Sequence, residues 1–477
     1  MEKINGIEQA DPVLINEKYL KSHKQIFNMA GYRAAKISTI RIGIIGLGVR
    51  GPMHLNILKK IEGVEIKALC DKNPEKVKEA VKMLENTDHK PLLFTEGEEE
   101  WKKLCQRSDI DLVLVTTPFF MHTAMSIYAM KHGKHVASEV PVAGTMEECW
   151  DLVKTSEETK CHLMMLENYS YMEFHLQTLN MARQGFFGEV IHGDGAYNTS
   201  KMNNNFGKNH YSDMWWLHQY ANRRGNVYPT HGLGPICQIM DINRGDRLDY
   251  MVSVESNDFM MGNKARELAE KDPFFQEFKN LDFRGNMNTT VIRTLKGRTI
   301  MLQHDGASPS PHNLIHGIYG TKGAALFDPA PPRLSIGKGW LEAEVVDELR
   351  DKFTPEIYKK MSNITRSSAH GGSDFLMLWH LVDCLRNGLP VPQDVYDAAS
   401  WSSIIPLSQW SVLNRSNSVN IPDFTAGAWK TNPRNMDIEL KNGGANTRIN
   451  FTIPDKPEPD DFLTRQWKQD LGGSNIK

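Results

Sequence analysis

No stretch of this sequence reaches eighteen consecutive apolar residues, so no membrane-spanning helix is expected. Met1 to Lys36 is polar, with no basic start running into an apolar stretch, so no export signal is expected, although a trimmed precursor would read the same. Neither sign of charge dominates: 56 lysines and arginines stand against 58 acidic residues, a formal net charge of -2. Without a basic block there is no footprint for a phosphate backbone, and nucleic acid is excluded as an expected partner. The six cysteines (Cys70, Cys105, Cys149, Cys161, Cys237 and Cys384) are scattered, with no Cys-x-x-Cys pair and no metal-ligand spacing. They are expected to be reduced core thiols. His304, His316, His370 and His380 are not at metal spacing either, and no metal site is expected. There are no internal repeats. What is left is a soluble chain of 477 residues, too long for one ordinary core and expected to form two or three domains.

The first of these is legible from Ile40. Ile40 to Ile45 is a continuous apolar strand, of the kind buried on both faces of a parallel sheet, and it runs straight into Gly46-Leu47-Gly48-Val49-Arg50-Gly51. A helical pattern follows (His54, Ile57, Leu58, Ile61), then a second strand, Val64 to Cys70, closing on Asp71. In that context GxGxxG is a dinucleotide fingerprint: glycines let backbone amides approach a pyrophosphate, and Asp71 stands where an acid binds the ribose 2'-hydroxyl. An acid there repels a 2'-phosphate, so NAD is favoured over NADP. Further units follow: a helix from Pro74 to Leu84, strand Leu92 to Phe94, a helix around Trp101 to Cys105, and strand Leu112 to Val115. Helix Thr123 to His132, strand His135 to Ser138, helix Met146 to Thr159 and strand His162 to Leu166 complete the series. The loops Thr117 to His122 and Glu139-Val140-Pro141 sit at carboxyl ends of strands, where ligands bind in such sheets.

Beyond residue 166 the pattern changes. A helix runs from Asn168 to Arg183, and short alternating segments at 190–197, 250–255, 288–294, 299–304 and 316–320 read as a largely antiparallel sheet. Helices are expected from Ser373 to Asn387 and from Val395 to Asn414. The fold class is therefore α/β, with an N-terminal Rossmann doubly wound parallel sheet and a C-terminal α+β domain carrying a mostly antiparallel sheet. The expected divisions are an arm (1–39), the dinucleotide-binding domain (40–166), a substrate and oligomerisation domain (167–421) and an extended tail (422–477).

The densest chemistry lies in Gly225-Asn226-Val227-Tyr228-Pro229-Thr230-His231-Gly232-Leu233-Gly234-Pro235, followed by the apolar run Ile236 to Ile242 and by Asn243-Arg244-Gly245-Asp246-Arg247. Tyrosine, threonine and histidine fall within four residues, between glycines that bend the chain and prolines that stiffen it, at the mouth of a helix. Buried, each polar group would need a partner, so the stretch reads as one that presents reactive side chains.

Strand, GxGxxG, acid, strand-end E-x-P and a mostly antiparallel second domain resemble the glucose-fructose oxidoreductase superfamily of sugar enzymes over most of residues 40–415. In ordinary dehydrogenases of that superfamily the motif is E-K-P, its lysine helping to protonate or orient the reacting hydroxyl. Here it is Glu139-Val140-Pro141. Ser138-Glu139-Val140-Pro141, the long GNxYPTHGLGP stretch and Asn243 to Arg247 look like glycoside hydrolase family 109, an α-N-acetylgalactosaminidase family that uses NAD catalytically. The resemblance implies NAD contacts at Gly46, Gly48, Val49, Arg50, Gly51, Asp71, the Phe119 to His122 loop, Glu139, Val140 and Asn168. It implies sugar contacts at Tyr197 and at Tyr228, Pro229, Thr230 and His231. Two positions depart from the family pattern. A W-R-L stretch reads Trp215-Trp216-Leu217 here, and a tyrosine after S-P-R-P is replaced in Ser308-Pro309-Ser310-Pro311-His312. Trp216 and His312 thus fall on expected sugar contacts, with Arg223 or Arg224 available in place of the missing guanidinium.

No pair of carboxylates stands out as in a conventional glycosidase. A bound NAD offers the other route: oxidation of the sugar at C3, loss of the acidified C2 proton, elimination of the glycosidic oxygen, water addition and re-reduction. His231 is the expected C2 base, since imidazole is the side chain suited to proton transfer near neutral pH, with Tyr228 on the C3 hydroxyl; the two roles are interchangeable at this level. A retaining NAD-dependent glycosidase acting on a terminal α-linked sugar is the expected activity. A sugar dehydrogenase that releases NADH and a non-catalytic NAD and sugar binder are the alternatives. A homo-oligomer is expected, since the antiparallel sheet of the superfamily commonly forms subunit interfaces.

Overall fold

The computed structural model describes residues 23–365 and 369–450, with side chains throughout except at 362–365, 369 and 370. The first part of the expected arm, the last part of the expected tail and the side chain of His370 lie outside the described residues.

Six parallel strands, β1 (Ile40–Ile45), β2 (Val64–Cys70), β3 (Leu92–Phe94), β4 (Leu112–Val115), β5 (His135–Ser138) and β6 (Leu163–Met165), form a sheet in the order β3-β2-β1-β4-β5-β6. The crossover helices cover both faces, so Ile40, Ile42, Ile44, Val113 and Val115 have no exposed surface, each buried isoleucine contributing about 2 kcal/mol. Local signals set the helix starts. Asn73 caps the helix Pro74–Lys82 with proline at its first position, and Thr145 and Glu148 form a reciprocal capping box on Met146–Thr159. The strand order reverses between β1 and β4, which opens the crevice where the glycine loop and the Thr117–His122 loop meet.

The second sheet has nine strands: β7 (Val190–Asn198), β8 (Leu248–Glu255), β9 (Met287–Thr294), β10 (Thr299–Asp305), β11 (Gly317–Gly320), β12 (Gly323–Leu326), β13 (Arg333–Ile336), β14 (Gly339–Trp340) and β15 (Val419–Asn420). Their order is β14-β13-β12-β11-β7-β10-β9-β8-β15, antiparallel except for the parallel pair of β7 with β10. β12 to β14 escaped the sequence pattern because they are short, two to four residues each, and two of them border turns rich in proline and glycine.

Three helical expectations are corrected. The segment from Asn168 is a 3₁₀ turn, Asn168–Tyr171, before the α-helix Glu173–Arg183. Val395 to Asn414 is two helices, Val395–Ser402 and Ile404–Leu413, because Pro406 has no N–H and its ring opposes the carbonyl four residues back. The helix after the YPTH motif starts at Thr230, not after Pro235, and ends at Ile239. His231 therefore sits in its first turn, where backbone N–H groups have no helical acceptor.

The described parts of arm and tail are anchored to the chain's own core. Gln25 and the Met29 N–H donate to the Tyr396 hydroxyl at 2.9 and 3.2 Å. Phe424, Met436 and Ile438 of the tail are buried, and Trp379 Nε1 donates to the Thr447 carbonyl at 3.0 Å. All six cysteines are buried free thiols.

Candidate active site

The crevice begins at the glycine loop. Gly46 has φ of 94°, and a β-carbon on it would lie 2.8 Å from the Thr116 backbone. On Gly51 it would meet the Gly46 carbonyl at 2.1 Å, so the helix Arg50–Leu58 can seat only on glycine. Gly48 is different: nothing lies within 4 Å of its missing β-carbon, so the backbone is open to a ligand there. The helix starts at Val49 with no side-chain cap, leaving first-turn N–H groups for an anion. Asp71 Oδ2 accepts from the Leu47 N–H at 2.6 Å, which holds the carboxylate beside the same loop. An open glycine, uncapped amide donors and an adjacent carboxylate acceptor are the groups a dinucleotide needs, and the residues present fit NAD.

Behind the loop is a buried charge network. Glu139 accepts from Arg50 Nε at 2.8 Å and lies 2.5 Å from His54 Nε2, while Arg50 Nη2 donates to Asp374 at 2.6 Å. Burial opposes the charge on Glu139, but Arg50 and His54 outweigh it and hold its carboxyl down to about 2. Val140 is buried at the same strand end. His122 has its ring nitrogens 2.8 Å from the Pro141 carbonyl and 2.7 Å from that of Thr117, so it braces one strand-end loop against the other. Asn168 is buried one residue after Glu167.

The substrate half is assembled by backbone contact. A β-carbon on Gly195 of β7 would lie 2.1 Å from the Gly232 carbonyl, and one on Gly232 would lie 2.7 Å from the Ala196 nitrogen. The helix Thr230–Ile239 therefore touches the strand itself, bringing Tyr197 to 5.1 Å (ring centroids) from His231 and 5.0 Å from Tyr228. Tyr228 and His231 are 5.0 Å apart, and Tyr169 closes the other side of His231 at 4.4 Å. His312, exposed, stands 5.7 Å from Tyr197 and 6.0 Å from Tyr169. Trp216, on the helix Trp215–Asn222, connects the halves: its ring is 5.3 Å from Tyr228 and 5.6 Å from Phe119 of the coenzyme-side loop. Burial pushes the Tyr197 phenol up to about 12, and burial followed by Tyr197 and Glu139 pushes Tyr228 well above its usual value. Both are hydrogen-bond donors at neutral pH.

Pro229 precedes the helix, and the buried Thr230 Oγ1 has no hydrogen-bond partner among the described residues. Arg224 is paired with Asp282. Arg223 lies over the Phe119 ring at 5.6 Å and donates to the Gly144 carbonyl at 2.9 Å, so of the two arginines it is the one beside the aromatic wall. Sequence reasoning missed Glu167, which is fully buried with Oε1 2.7 Å from His231 Nδ1. It also missed Tyr169, His54 and Asp374. Tyr169 stood beside the flagged Asn168, but no spacing links residue 167 to residue 231.

Two family models match the chain: the oxidoreductase family, NAD-binding Rossmann fold, over residues 40–167, and the C-terminal domain of glycosyl hydrolase 109 over residues 171–431. The chain belongs to glycosyl hydrolase family 109. A glycosyl hydrolase family 109 protein of Shewanella pealeana is 42% identical over 418 residues, covering 85% of this chain and 89% of its own. An alpha-N-acetylgalactosaminidase of Bacteroides fragilis is 43% identical over 410 residues, covering 84% of this chain and 96% of its own. Among solved structures, levoglucosan dehydrogenase in complex with NADH and L-sorbose matches 81% of this chain and 100% of its own, with a TM-score of 0.62 at 16% identity. That likeness is one of fold. This family 109 member is a glycosidase whose cofactor is NAD, carried by the Rossmann domain.

Proposed function

We propose that this enzyme is a retaining α-N-acetylgalactosaminidase working by C3 oxidation, C2 deprotonation, elimination, water addition and re-reduction. The observation that carries the reading is the continuous wall of rings from Phe119 through Trp216 and Tyr228 to His231, which joins the coenzyme-side loop to the imidazole. The name of the Bacteroides fragilis relative supports the choice of sugar.

NAD, when bound, supplies the hydride acceptor and donor for the sugar's C3. The open backbone at Gly48, the first-turn amides at Val49 and Arg50, and Asp71 would hold it, with Glu139, Val140 and Asn168 at the inner end. His231 Nε2 takes the C2 proton and returns it. The neutral Tyr228 hydroxyl donates a hydrogen bond to the C3 oxygen, and Tyr197 and Trp216 pack against the sugar ring. His312 stands at the exposed rim, beside the position of a substituent or aglycone.

The test is incubation with a chromogenic α-N-acetylgalactosaminide in deuterated water. The reading expects aglycone release with deuterium at C2 and no net NADH. Stoichiometric NADH without release would instead make the protein a dehydrogenase. His231→Ala and Tyr228→Phe are each expected to lose about 10²- to 10⁴-fold in rate while retaining NAD, and near-normal turnover in both would discard the assignment. A homo-oligomer is part of the same reading: Tyr250, Val254 and Val291 are exposed on the open face of the second sheet. Light scattering giving a monomer mass would remove it.

A further inference from the structure

We infer that Glu167 is a positioning residue, which holds the ring proton of His231 on Nδ1 and leaves Nε2 as the basic nitrogen. The inference rests on the assignment of His231 as the C2 base. Glu167 Oε1 accepts from the Tyr169 N–H at 3.0 Å, and Oε2 accepts from the Ser170 N–H at 2.8 Å and the Ser170 hydroxyl at 2.6 Å. With three donors upon it the carboxylate acts as an acceptor, so at 2.7 Å the imidazole Nδ1 must be the donor. Nε2 makes no hydrogen bond among the described residues, in a ring walled by Tyr169, Tyr197 and Tyr228.

Three features support a role beyond capping the 3₁₀ turn that follows it. The carboxylate reaches a residue 64 positions away, which a cap does not require. Its own backbone is clamped on both sides by buried Gln393, whose Oε1 accepts from the Glu167 N–H at 3.0 Å and whose Nε2 donates to the Glu167 carbonyl at 2.9 Å. Gly234 keeps the space clear: a β-carbon there would stand 3.0 Å from Glu167 Oε2 and 2.9 Å from Trp401. The second glycine of the THGLGP motif thus makes room for the partner of the histidine in the same motif.

The experiment measures C2 deuteration and aglycone release by NAD-loaded enzyme, wild type against Glu167→Gln, Ser170→Ala and His231→Ala, with ¹⁵N-histidine spectra of the wild type and the Gln variant. Glu167→Gln is expected to lower kcat about 10²-fold or more, with KM and NAD binding changed less than about threefold, and to lose the Nδ1–H signature of His231. Ser170→Ala removes another of the carboxylate's partners and is expected to leave kcat within about threefold of the wild type. Equal losses in these two variants, unchanged kcat in Glu167→Gln, or a wild-type proton on Nε2 would each overturn the inference. C2 deuteration surviving in His231→Ala would instead overturn the base assignment beneath it. Should Glu167→Gln not fold, the wild-type spectrum decides alone.

Discussion

Gly195→Ala probes how the site is built, through a residue outside those assigned to sugar and coenzyme. The added methyl would lie 2.1 Å from the Gly232 carbonyl and 2.9 Å from Ile236 Cδ1. The isoleucine can change rotamer, but the carbonyl belongs to the helix Thr230–Ile239 and moves only with it. Gly195 does not have positive φ, so alanine brings no backbone strain of its own, and the effect is purely one of space. Restoring ordinary contact requires about 1 Å of separation, and overpacking of this kind costs about 1–3 kcal/mol. The same displacement would draw His231 from Glu167, now 2.7 Å away, and from Tyr197. A misplacement of about 1 Å at a reacting group costs about 10²-fold in rate. The assay pairs kcat for aglycone release with thermal unfolding and the stoichiometry of bound NAD. The expected result is a Tm lower by a few degrees, a large loss of kcat and full NAD occupancy, since the glycine loop belongs to the other sheet. Turnover within about threefold of wild type with an unchanged Tm would refute the claim that strand-to-helix backbone contact sets the geometry.

Gly48→Ala is the complementary case: its β-carbon meets no protein atom within 4 Å, so stability should be unchanged while NAD affinity falls about tenfold or more, and an unaltered Kd by titration would contradict an open cradle there. Arg50→Met leaves the carboxylates of Glu139 and Asp374 without their shared cation and should destabilise by about 3 kcal/mol in urea unfolding. Because the folded Glu139 carboxyl, at about 2, lies below its ordinary 4.5, its stabilisation is present above pH 4.5 and lost as the pH falls toward 2, and this acid window should shrink in Arg50→Met. Burial lowers His135, His175 and His380 to about 4 and His162 to about 3, from 6.5. Their contribution is therefore complete above pH 6.5 and lost as the pH falls toward 4, so Tm should drop steeply across that interval, with net proton uptake on unfolding; a flat Tm there would contradict burial of neutral imidazoles.

The Rossmann half was open to reading because its signals are local. A buried parallel strand is a continuous apolar run, and Gly46 to Gly51 with Asp71 lie within one strand-turn-helix-strand unit, so pattern and spacing carry the structure. The YPTH stretch announced itself for the same reason, by density of functional groups within a few residues. The helix boundary at Thr230 was missed because two glycines and Pro235 argue locally against a helix that packing against β7 and β10 stabilises. β12 to β14 were missed because so few residues carry no period.

Which residues meet was settled by tertiary structure alone. Glu167 follows a strand of the first sheet, His231 lies on a helix seated on the second, and Trp216 reaches Phe119 across the crevice between them. None of these pairs has a sequence spacing, because none is made by one element: each depends on where a whole helix rests, and for the helix that carries His231 that is decided by the backbone contact of Gly195 with Gly232. Residue types and strand-end positions, which follow from local periodicity, were sufficient for the fold class and the coenzyme, while the class of chemistry followed from the resemblance carried by the Gly225 to Pro235 stretch. The partner of the base arises from long-range packing, the level at which local pattern ceases to carry information.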